Sequence, residues 1–111
     1  MKPIHRPKTM NKTEALYAEN LENKKKAGII IDWKFEAMKF RLGDGANGTN
    51  RPAFFTPDFF VIHNNHFELI EVKGFFREAA KVRMKTAREL YPWLAWTLVK
   101  VFKGGWQYED F

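Results

Sequence analysis

Two carboxylates and a lysine stand in a pattern that suits phosphate chemistry: Pro57-Asp58, then Glu71-Val72-Lys73. They sit on two β-rich runs, residues 58–62 and 67–73, separated by His63-Asn64-Asn65-His66. Asn tolerates positive φ, so Asn64-Asn65 reads as a hairpin turn. Opposed residues of a hairpin keep a constant sum of residue numbers. A two-residue turn pairs His63 with His66, and a four-residue loop pairs Ile62 with Phe67. Both carry down the strands to the same result, Asp58 opposite Glu71. Directly opposed side chains share a sheet face, with Cβ atoms about 4.5–5.5 Å apart. Lys73, two residues beyond Glu71, shares that face. Two carboxylates so placed repel each other unless one keeps a proton or a cation sits between them. A divalent cation resolves the conflict, since Mg²⁺ is commonly held by one or two carboxylates, with water and substrate phosphate completing its shell.

Composition narrows the choice of metal and partner. There are no cysteines, so thiolate sites, disulfides and Cys nucleophiles are excluded, and oxygen ligands favour hard cations. Nineteen Lys and Arg against 13 Asp and Glu give a net charge of +6, which favours a polyanionic partner. The chain is 45% hydrophobic with eleven Phe and four Trp, enough for one core in 111 residues. No apolar run has the length of a membrane span, and the basic N-terminus lacks a secretory apolar stretch, so a cytoplasmic location is expected.

The elements around these residues follow from periodicity. Residues 1–10, with two prolines and several cations, read as a basic flexible arm, and residues 11–111 as a single domain. Residues 11–27 read as a helix capped by Asn11 or Thr13 and ended by Gly28. Tyr17, Ala18 and Leu21 fall on one face of it, with Glu14 at that face's centre. A carboxylate there needs a partner, or else serves the helix N-terminus. Residues 29–42 hold a strand, best supported in the second half, where Glu36, Met38, Phe40 and Leu42 share one parity. Residues 43–52 read as a flexible loop that delivers Arg51 beside Asp58, placed to grip or gate a nucleic acid. Residues 77–91 read as a second helix stopped by Pro92, with Ala80, Met84, Ala87 and Tyr91 buried and a basic stripe of Arg77, Lys81, Lys85 and Arg88 beside them. A strand over 94–103 and a last short strand over 106–109 follow, joined at Gly104-Gly105. The crossover through the second helix makes its two flanking strands parallel. The expected fold is α/β, a mixed four- to five-stranded sheet flanked by helices.

Thr56-Pro57-Asp58 followed by Glu71-Val72-Lys73 resembles the motif of the PD-(D/E)XK nuclease superfamily, closest to small phage-encoded members that include Holliday-junction-resolvase-like proteins. The resemblance runs from the Glu14 helix to the final strand. It implies a restriction-endonuclease-like α-β-β-β-α-β core and a Mg²⁺-dependent endodeoxyribonuclease, with Mn²⁺ able to substitute. It implies Asp58, Glu71 and Glu14 as metal ligands, the latter on the segment Asn11-Lys12-Thr13-Glu14, with the carbonyl of Val72 a further ligand. Lys73 would orient water or stabilise the anion. Lys85 resembles a helix cation that contacts DNA or the scissile phosphate, a role for which Lys81 and Arg88 compete.

Branched DNA cut by a homodimer is the leading substrate expectation, because symmetric cleavage of a junction needs two sites. For a phage-encoded protein the location is the host cytoplasm. A less selective nickase, a restriction-like enzyme, a non-catalytic nucleic-acid-binding module and a regulatory protein on a degenerate scaffold are the alternatives. His63 and His66 have ligand spacing but read as turn residues. The pairs Phe54-Phe55, Phe59-Phe60 and Phe75-Phe76 suit a core better than base stacking, Phe75-Phe76 least so.

Overall fold

The computed structural model describes residues 9–44, 52–74 and 78–111, and the protein is α/β with a mixed five-stranded sheet and two helices. The arm residues 1–8, Arg51, Phe75, Phe76 and Arg77 lie outside the described residues. Helix α1 (Lys12–Lys26) is followed by β1 (Asp32–Phe35), β2 (Phe40–Asp44), β3 (Pro52–Phe55), β4 (Phe59–Ile62) and β5 (Phe67–Lys73). Helix α2 (Glu78–Leu90), β6 (Ala95–Phe102) and β7 (Gly105–Asp110) complete the order. The main sheet runs β1-β4-β5-β6-β7, and β2-β3 form a separate two-stranded sheet. Among the described residues, β5 and β6, joined through α2, are the one pair that runs parallel. Among the described residues no helix is long and apolar enough to cross a membrane.

The hairpin register is the one that the turn dictates. Phe59 pairs with Ile70 and Ile62 with Phe67, and the His63 amide donates to the His66 carbonyl at 2.9 Å. One step further down, this register sets Asp58 against Glu71. Along β5 the pleat sends alternate side chains to opposite faces. Ile70 and Val72 join Tyr17, Leu21, Phe59 and Val99 under α1. Leu69 joins Met84, Ala87, Trp96, Phe40 and Phe55 under α2 and the β2–β3 hairpin. Each fully buried large side chain contributes about 1.5–3 kcal/mol, so these two layers hold the sheet from both sides.

Two expectations need correction. Residues 29–42 form two strands in two different sheets, not one. Glu36 has φ 48 and its amide donates to the Asp58 carbonyl at 2.8 Å, which ends the β1–β4 ladder and turns the chain outward. The parity shared by Glu36, Met38, Phe40 and Leu42 therefore spans a break. Nor is 43–52 loop throughout. Gly43 and Asp44 belong to β2 and Pro52 to β3, with a register shift between Arg41 and Gly43. Just ahead of α1, Met10 packs against the same apolar layer.

Candidate metal-ion and phosphate site

Pro57 lacks an amide proton, so strand pairing cannot run through it, and β4 starts only at Phe59. Asp58 is left at the strand's mouth with its own amide unclaimed by a neighbouring strand. That amide donates to Glu71 Oε1 at 3.1 Å, and Asp58 Oδ2 accepts from the Val72 amide at 2.8 Å. The two residues thus interlock across the hairpin, as the register requires. Glu14 arrives from the first turn of α1, which lies beside the end of β5: a Cβ built on Gly74 would sit 3.8 Å from Thr13 Oγ1. Asn11 caps that helix, and a capping box fixes Glu14: Glu14 N donates to Asn11 Oδ1 at 2.8 Å, and Asn11 N to Glu14 Oε1 at 2.9 Å. Glu14 thus serves the helix terminus, and it also lies near enough to Asp58 to help raise that carboxyl's pKa.

Glu14, Asp58 and Glu71 are only 5%, 5% and 4% exposed. Burial pushes the Asp58 carboxyl up to about 8, reinforced by the charge of Glu71 and by Glu14, while the Val72 amide pulls the other way. Asp58, buried beside a second carboxylate, is therefore the group that keeps its proton at neutral pH. Lys73 Nζ lies 3.2 Å from Glu71 Oε2, on the same face as Leu69. The parallel register sets Lys73 beside Lys100, and the next pairing sets Lys100 beside Gln107, so two cations share one cross-strand row.

Helix α2 supplies a cation that periodicity did not single out. Arg83 Nη2 approaches Glu71 Oε2 to 3.8 Å, and its guanidinium lies 5.5 Å from the Phe55 ring centroid. The predicted stripe faces elsewhere. Lys81 pairs with Glu109 of β7 at 3.0 Å, and Lys85 and Arg88 are exposed. With about 100° between successive helix residues, Arg83 stands roughly 70° to one side of the Ala80–Met84–Ala87 stripe, and Lys81, Lys85 and Arg88 roughly 70–130° to the other. His63 and His66 lie at the hairpin turn, and neither contacts Glu14, Asp58 or Glu71. His63 Nε2 contacts Glu68 Oε1 at 2.7 Å, and its ring stacks on the exposed His66 at 4.2 Å.

Among the described residues, no group of three or more His, Asp or Glu side chains is disposed to hold a metal ion by itself. The donor set still fits a hard divalent cation that takes one or two carboxylates and draws its remaining ligands from water and phosphate. Lys73 and Arg83 offset the charge of Glu71, whereas Asp58 is left to its proton, and a cation could take that proton's place.

A family model described as "Protein of unknown function (DUF1064)" matches residues 5–104. No curated protein and no solved structure matches the chain.

Proposed function

The chain belongs to the DUF1064 family, and we propose that it is a metal-dependent endonuclease hydrolysing DNA phosphodiester bonds. The observation that carries this reading is the interlocked pair of buried carboxylates, Asp58 and Glu71, with Lys73 on the same face. If β2–β3 is taken as an insertion, the order α1, β1, β4, β5, α2, β6 supports the reading of a core like that of the PD-(D/E)XK nucleases that the motif resembles. Asp58, Glu71, the Val72 carbonyl and Glu14 would hold Mg²⁺ or Mn²⁺. The ion, when bound, would supply charge neutralisation and Lewis-acid polarisation at the phosphate.

The chain's own residues do the rest. Asp58 must give up its proton for the site to bind a cation, so site assembly is proton-linked. Lys73 and Arg83 both address Glu71 Oε2, so a phosphate arriving at this rim would meet two cationic donors able to stabilise developing charge. Lys81, Lys85 and Arg88, with Arg51 and Arg77, would follow the nucleic-acid backbone. Recognition by backbone and shape suits a basic chain with no base-reading helix motif, and a homodimer acting on branched DNA is the form we favour.

The test is incubation with end-labelled linear, flapped and four-way DNA, with Mg²⁺ or with EDTA. Cleavage is expected only with the metal, with paired nicks near the branch point, and is expected to vanish in Asp58→Asn and Glu71→Gln. Cleavage retained in both variants overturns the site, and scattered cuts in linear duplex overturn the branched preference alone.

A further inference from the structure

Beyond the carboxylates, the β2–β3 hairpin carries a surface with no role in the site as described. Its inner face is core: Phe40 and Phe55 pack on Trp96. Its outer face is not. Phe54 is 47% exposed, whereas its neighbour Phe55 is 4% exposed. Lys39 Nζ lies 4.5 Å from the Phe54 ring centroid, and Arg41 is the cross-strand partner of Phe54. The end of α2 is tied to the same hairpin, because the Tyr91 hydroxyl donates to the Arg41 carbonyl at 2.7 Å. Beside that bond is a hollow of about 370 Å³ lined by Arg41, Gly43, Leu90 and Tyr91. Trp93, 74% exposed, sets its ring edge-on at 6.0 Å to Tyr91, one of the residues that line the hollow.

We propose that this outer face, from Phe54 across Arg41 to Trp93, is a stacking surface for an unpaired nucleic-acid strand that leads into the carboxylate site. Exposed aromatic faces interleaved with cations suit such a strand, whose bases stack while its phosphates meet the positive charges. Bases held inside a duplex offer no free π-face, so the surface selects unpaired nucleotides. It also lies close to the chemistry. Phe54 is four residues before Asp58, so even a fully extended chain keeps the two within about 14 Å. Arg83 contacts both Glu71 and the inner, Phe55 side of the hairpin, so the hairpin that carries Phe54 on its outer face is seated against the site. The link to cleavage rests on the nuclease reading, whereas the binding surface does not.

The test separates the two. Binding of a short oligothymidylate and of a blunt duplex is measured in EDTA, where no metal-dependent cleavage occurs, by anisotropy of the labelled DNA and by tryptophan fluorescence. Oligothymidylate is expected to quench the fluorescence, and the quench is expected to be largely lost in Trp93→Phe. Phe54→Ala is expected to weaken oligothymidylate binding at least about fivefold, the low end for one stacked base, with a smaller effect on duplex. Phe54→Leu keeps most of the apolar area but no π-face, and is expected to bind as weakly as Phe54→Ala. Unaltered thermal unfolding of these surface variants confirms that they fold. Oligothymidylate affinity unchanged in Phe54→Ala, or lost equally for strand and duplex, overturns the proposal and leaves the nuclease reading intact. Strand binding that depends on Phe54 in a protein that cleaves nothing with Mg²⁺ or Mn²⁺ overturns the nuclease reading and leaves this surface standing.

Discussion

Replacing Asp58 by asparagine should make the metal-free protein more stable, and increasingly so as pH rises. The folded protein holds the Asp58 proton up to about pH 8, while a carboxyl in the unfolded chain releases it near 3.8. Between those values the folded state binds the extra proton, so wild-type stability falls as pH rises through the window. One group contributes at most about 1.4 kcal/mol per pH unit, which sets a ceiling of about 5–6 kcal/mol over the whole window. Relaxation of the carboxylate pair and water entry reduce this, and about 2–3 kcal/mol is the expected loss. In Asp58→Asn the new side chain imitates the protonated acid: its carbonyl can keep the Val72 amide, and its NH₂ can donate to Glu14. At pH 5 the two proteins should therefore unfold at similar temperatures, and by pH 9 the variant should lead by about 10 °C. The assay is thermal unfolding in EDTA at pH 5, 7 and 9. Adding Mn²⁺ at pH 9 should raise the wild type toward the variant and leave the variant where it was. A temperature gap that stays constant from pH 5 to 9 would refute the buried-pair argument.

Two further outcomes bear on the site's periphery. Arg83→Ala should slow cleavage by about 10²-fold, the scale of one lost transition-state donor. Lys85→Ala should instead weaken DNA binding and lower the salt slope by about one unit; equal effects of the two in both assays would remove Arg83 from the site. Glu14→Gln keeps the capping box, since Gln also serves at that helix position, so helix stability should hold. Its Mn²⁺ affinity by calorimetry should nonetheless fall about 10-fold or more, as for an outer partner of a metal site, while Glu19→Gln leaves it unchanged. Matching affinities would return Glu14 to a capping role alone.

The part of the site on the β4–β5 hairpin was legible because a hairpin's geometry is local. The turn residues set the register, the register set Asp58 against Glu71, and the pleat placed Lys73 on their face. Each step depends on neighbours in the chain and not on the rest of the fold. Glu14 was legible for a related reason. A carboxylate centred on a helix's apolar face has to be met by something, and here the Asn11 cap and Asp58 meet it together. The boundaries of both helices came within about a residue or two of those observed, as capping and breaking residues usually allow.

Arg83 and the β2–β3 hairpin were not legible, and both failures come from tertiary geometry. Helical periodicity separates two flanks of α2 but says nothing about which flank faces β5 and which faces β7. The longer basic row, at spacings of three and four, drew the assignment to the β7 side, where Lys81 meets Glu109. The lone Arg83 on the opposite flank is the one that reaches Glu71. The hairpin was hidden differently. A period-2 pattern survives a change of sheet, because parity is counted along the chain and does not register the turn at Glu36. What marks the departure is a backbone donor that goes to Asp58 itself. The residue that opens the candidate site therefore also turns the chain out of the main sheet. That shared bond ties the placement of the hairpin to the carboxylates, so Glu36→Pro, which removes the donor, should disturb both together.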